Sequence, residues 1–167
     1  FWQWWVVRRG RRVHGQSGHG KVDGLERVVG AEPGVVSDLG VLVRPHPERV
    51  KEWAGVDLAP FRNVAFHGRN PIDAAAKHDY FDSLYYSSAV IGLVTSAFLE
   101  AAIVGRPVLT FTLPEYRIHQ EEVLHFQYLM TVEGGLLHAA PDLEAHLSQL
   151  AEAVALEGAR DDRNRRF

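Results

Sequence analysis

Apolar residues gather in five short runs, at 40–44 (GVLVR), 63–67 (NVAFH), 90–94 (VIGLV), 107–111 (PVLTF) and 136–140 (LLHAA). Each run is continuous rather than alternating and rich in Val, Ile or Leu, the pattern of a strand covered on both faces. The stretches between them have helical character. FLEAAIVG combines strong helix formers with a stop at Gly105, a C-cap glycine, and Pro107 follows. PDLEAHLSQLAEAVALEG opens on Pro141-Asp142, sets Leu143, Leu147, Leu150 and Val154 on one face, and ends at Gly158. Tyr80, Phe81, Tyr85 and Tyr86 have helical spacing and read as core, with Ser87 and Ser88 closing that helix. A further helix is predicted from about Gln120, after a loop that holds Pro114.

Strands alternating with helices imply right-handed crossovers and a parallel sheet. The predicted fold is α/β: a single Rossmann-like, doubly wound parallel sheet of about five strands over residues 39–157. Residues 1–38 keep neither apolar period and break short pairs such as Val28-Val29 and Val35-Val36 with Gly and charge. They are expected to be irregular or poorly ordered. Residues 158–167 (GARDDRNRRF) read as a solvated polar tail.

Composition narrows the classes. The chain has 167 residues, 46% hydrophobic and 23% charged, which suits one ordinary globular domain. A net charge of −3 gives no reason to expect a nucleic acid or an anionic membrane as partner. Without cysteine, disulfides and thiolate metal sites are excluded. No apolar run approaches the roughly 18–20 residues of a membrane span. The N-terminal FWQWWVVRRGRR lacks the charge-then-apolar order of a signal peptide and has no initiator Met, so it reads as a fragment end. The expected location is the cytoplasm, or the inner face of the membrane.

Open α/β sheets bind ligands outside the carboxyl ends of their strands, which directs attention to the residues after each run. After the first comes Arg44-Pro45-His46-Pro47. Each proline biases its predecessor towards extended geometry, so His46 is held stiffly enough to donate to a phosphate or hydroxyl, or is simply part of a stiff loop. After the third run Thr95 and Ser96 sit where a strand turns into a helix, suited to capping or to seating a phosphate. Glu100 lies one turn on, suited to accept from ribose hydroxyls or to complement the helix dipole. After the fourth, Glu115, Arg117, His119, Gln120 and Glu121 form a polar cluster. His119 and His125 are six apart and do not share a helical face, so no metal is expected. The remaining histidines, His67, His78, His138 and His146, read as ordinary surface or core residues. GxGxxG, P-loop and Gly-x-Ser-x-Gly signatures are absent from the sequence.

RPHP, YFDSLYYSSAVIGLVTSAFLEAAIVGRPVL and LPEYRIHQEEVLHF, in that order over residues 40–155, resemble the C-terminal half of GT-B glycosyltransferases. The nearest flavour is the branch of CDP-glycerol glycerophosphotransferase-like and capsule polysaccharide transferases. The resemblance implies a Rossmann-like donor domain that binds a nucleotide-sugar or CDP-alcohol without a metal or other cofactor. It implies phosphate contacts from His46, Thr95 and Ser96, with Arg44 adding charge, and a ribose contact from Glu100. Glu115 to Gln120 would lie near the transferred group, with His46 and His119 as the catalytic candidates. His119-Gln120 stands where many such enzymes carry an acidic residue before Gln. GT-B enzymes close a second, N-terminal acceptor domain over the cleft, and residues 1–38 cannot supply one. The chain is therefore expected to be a fragment, or to carry a foreign reading frame over residues 1–38, and to bind donor without transferring it. Two alternatives stand beside this: a UDP-N-acetylglucosamine 2-epimerase-like domain, and a non-catalytic flavodoxin-like binding or interaction module.

Overall fold

The computed structural model describes residues 3–9, 39–61, 63–67, 70–156, 159 and 161–167, and only the backbone of residues 3–9, 115 and 117–119. Among the described residues six strands form one sheet: β1 (Gln3–Arg9), β2 (Leu39–Pro45), β3 (Val64–Phe66), β4 (Ala89–Gly92), β5 (Val108–Phe111) and β6 (His138–Ala140). The last five are the five predicted runs. The first corrects the expectation of about five strands preceded by an irregular segment. Gln3–Arg9 lies in the middle of the sheet, whose order is β3-β2-β1-β4-β5-β6. Its Trp-Trp-Val-Val centre is β-favouring, but the glycines that follow mask it in any average over residues 1–38. Residues 10–38 lie outside the described residues.

β1 runs antiparallel to both β2 and β4, while β2–β3, β4–β5 and β5–β6 are parallel. Five strands therefore point one way and β1 the other. The carboxyl ends of β2 and β4 and the start of β1 meet at one edge, because Gln3 pairs with Pro45 and Trp4 with both Arg44 and Gly92.

Among the described residues six α-helices accompany the sheet: α1 (Ala74–Tyr85), α2 (Ala97–Ile103), α3 (Pro114–Glu121), α4 (Leu124–Thr131), α5 (Leu143–Ala155) and α6 (Asp162–Arg166). Strand alternation divides the core between two faces. On one face Val90 and Val108 pack with Leu84 of α1, Phe98 and Ala101 of α2, and Phe126 and Leu129 of α4. On the other, Ala89, Ile91 and Leu109 meet Leu150, Ala153 and Val154 of α5. Val41, Val43 and Val64 cover Trp53 of a 3₁₀ helix at Pro47–Trp53. At Gly92 a Cβ would come within 2.8 Å of the Phe98 ring, so glycine lets α2 seat close against the end of β4.

Three further expectations are revised. α3 begins at Pro114 instead of following a loop there, because proline is pre-set for the first helical position and needs no N–H. Phe81, Tyr85 and Tyr86 are 49%, 43% and 55% exposed, and only Tyr80 turns inward with the buried Ala76 and Leu84. Residues 76, 80 and 84 form the i, i+4 stripe, and 81 and 85 stand one position off it. The chain end is packed rather than free. Asp161 is buried and paired with His138, while Arg163 Nη1 donates to Leu137 O at 2.7 Å and Asn164 Nδ2 to Arg106 O at 2.9 Å. These contacts tie α6 beneath the amino ends of β5 and β6. Burial pushes the Asp161 carboxyl up, but hydrogen bonds from His138 and the Arg163 backbone outweigh it and hold it below its ordinary value.

Candidate functional site

The carboxyl edge of the sheet collects the end of β2 (Arg44, His46), the end of β3 (His67), the β4–α2 turn (Thr95, Ser96) and the start of α3. His46 has φ −55° and ψ 138°, the extended geometry that the following proline demands. It caps the 3₁₀ helix: its Nδ1 accepts from Glu48 N at 3.3 Å. An accepting Nδ1 puts the proton of the neutral ring on Nε2, leaving an N–H donor on a half-exposed side chain.

Arg44, on the opposite face of β2 from Val43, is 2% exposed. Its Nη1 donates to Asp79 Oδ2 of α1 at 2.7 Å, and its guanidinium lies 5.4 Å over the Tyr80 ring. The His67 Nε2 lies 3.0 Å from the same Asp79 oxygen, a contact that becomes an ion pair when the ring is protonated. The Tyr80 hydroxyl in turn hydrogen-bonds the Glu100 carboxylate of α2. Burial first, and then this bond, pushes the Tyr80 phenol well above its ordinary value, so it stays a donor. Arg44 and Glu100 thus join one network through Asp79 and Tyr80.

Thr95 is buried and its Oγ1 accepts from Ala97 N at 3.2 Å, so it, not Ser96, caps α2. Ser96 is exposed and makes no side-chain cap bond. Gln120 is 3% exposed, and its Nε2 reaches Phe111 O at 2.6 Å and Leu93 O at 3.5 Å. It ties the loop after β4 to the end of β5. The side chains of Glu115 and His119 lie outside the described residues; their backbone belongs to α3.

Sequence reasoning missed Asp79 and Tyr80 and passed over His67. Asp79 and Tyr80 sit mid-helix with no local signal. Only packing of α1 over the carboxyl edge brings them to Arg44 and Glu100, 35 and 20 residues away in sequence.

Among the described residues no group of three or more His, Asp or Glu could hold a metal ion. No helix among them is long and apolar enough to cross a membrane. No family model, curated protein or solved structure matches the chain.

Proposed function

We propose that residues 39–156 form the donor-binding domain of a GT-B-like glycosyltransferase or glycerophosphotransferase, taking a nucleotide-sugar or CDP-alcohol at the carboxyl edge of the sheet. One observation carries the reading. β2 and β4, which flank the reversal of strand order, end at the same edge with an N–H donor at His46, an exposed hydroxyl at Ser96 and a carboxylate at Glu100 held by Tyr80. Reversal of strand order is where open α/β sheets bind ligands. In this reading His46 and Ser96 serve the phosphates and Glu100 the ribose. Transfer to an acceptor belongs to a second domain closing over this one, and no metal is required.

A non-catalytic α/β binding module is the second reading. What favours it is that Arg44, His46, Thr95 and Gln120 each already hold the fold together.

The test is a thermal-shift series with CMP, CDP, CDP-glycerol, UDP and UDP-sugars on the wild type, His46→Asn and Glu100→Gln. Asparagine preserves the helix cap while removing the imidazole. A ligand at about 100 times its Kd stabilises the fold by roughly 2.7 kcal/mol. A shift with one nucleotide class that shrinks in both variants supports donor binding. A flat response to every nucleotide favours the second reading.

A further inference from the structure

We propose that Arg44 and His67 form an oxyanion seat at the carboxyl ends of β2 and β3, which Asp79 fills in the free protein and a phosphate or diphosphate group claims by displacing it. The proposal rests on the donor-binding reading and adds Arg44 and His67 to the phosphate contacts of His46 and Ser96, together with the group that guards them. Two nitrogen-bearing groups, one at the end of β2 and one just after β3, converge on a single oxygen, Asp79 Oδ2, at 2.7 Å from Arg44 and 3.0 Å from His67. The Arg44 side chain is 3% exposed, whereas Asp79 is 46% exposed. The carboxylate is therefore the part of the pair that meets solvent, and it can swing away from α1 without unpacking the strand. Tyr80 lies against the guanidinium at cation–π distance and steadies it when the carboxylate leaves.

Chemistry favours the exchange. Asp79 offers one negative charge through Oδ2, while a diphosphate brings more charge and several acceptor oxygens matched to the guanidinium fork. An occupied seat reduces apparent affinity to the fraction of time it stands open. Removing the occupant should therefore raise affinity, the opposite of what removing a ligand contact does.

Inorganic pyrophosphate, titrated calorimetrically at fixed ionic strength, is the probe. Asp79→Asn and Asp79→Ser should each bind it at least tenfold more tightly than the wild type. Asp82→Asn makes the same charge change on the exposed side of α1 and should bind as the wild type does. The gain should vanish in Asp79→Asn/Arg44→Gln. In the wild type, saturating pyrophosphate should move the Arg44 guanidinium resonances, a measurement that stands even if the variants fold poorly. Unchanged or weaker binding in folded Asp79 variants overturns the seat, as does an equal gain in Asp82→Asn or an unmoved Arg44 resonance. Pyrophosphate gain without nucleotide binding leaves the seat standing and removes the donor reading. Nucleotide binding without the gain does the reverse.

Discussion

At His46 the flanking prolines settle which hydrogen bonds exist. Pro47 brings no N–H to the first position of the 3₁₀ helix, so Glu48 supplies the first donor that needs an acceptor, and His46 Nδ1 meets it. The clamp thus caps a helix and presents Nε2–H at once. His146 is the contrary case. It is fully buried on α5, stacked on Phe111 with ring centroids 3.9 Å apart, and neither ring nitrogen has a partner among the described residues. The strands packed against α5 contribute one titratable group, His138 on β6, which is already paired with Asp161. Burial lowers the His146 pKa from 6.5 to about 4. The unfolded chain therefore binds the proton first. Stability from this group is complete above about pH 6.5 and falls by about 3 kcal/mol as pH drops towards 4. His146→Leu should stabilise the protein by about 1–2 kcal/mol at pH 7, because it removes two unsatisfied buried nitrogens. The gap between variant and wild type should widen from pH 6.5 to 4, measured by urea unfolding. A constant gap would show that His146 does not titrate in this range.

At the scale of elements, the ends of helices follow local chemistry closely. α2 stops where FLEAAIVG said it would, with Gly105 at φ 80°. Gly105 N donates to Ala102 O and Arg106 N to Ala101 O, both at 2.9 Å, which is the paired bonding of a Schellman cap. Gly105→Ala should cost about 1 kcal/mol by forcing a Cβ into left-handed geometry, read as a lowered urea midpoint with unchanged slope. α5 opens on Asp142, whose Oδ1 accepts from Ala145 N at 2.8 Å, as Pro141-Asp142 suggested. What local chemistry left open was orientation. The aromatic residues of α1 have helical spacing, but spacing alone does not say which stripe faces the sheet. Packing against β4 chose the narrower one through Ala76, Tyr80 and Leu84 and left Phe81 and Tyr85 stacked on the surface. That choice also delivers Asp79 to Arg44.

At the scale of the whole molecule, β1 is the decisive element. It pairs with β2 on one side and β4 on the other, so the two parallel halves of the sheet are joined through it. A proline in a central strand removes a ladder donor and clashes with its neighbours. Val6 faces Leu42 and Val90 across the two ladders. Val6→Pro should cost about 1–3 kcal/mol for the buried ladder acceptor it leaves unpaired, and should broaden or split the thermal transition as the halves uncouple. An unchanged melting curve would mean that the two halves hold together without β1.

Taken by itself, the sequence determined the five runs that became β2 to β6, the Gly105 and Asp142 helix caps, and an α/β architecture. Each follows from neighbours within a few positions, where hydrophobic period and capping chemistry act. It also pointed to the carboxyl ends of the strands, since that rule needs only strand direction. The tertiary structure alone decided that Gln3–Arg9 enters the sheet reversed, that Gln120 and Thr95 turn inward to hold backbone, and that Asp79, Tyr80 and His67 surround Arg44 and Glu100. These depend on contacts between residues far apart in the chain, and side chains that meet only after the helices have packed leave no local signal.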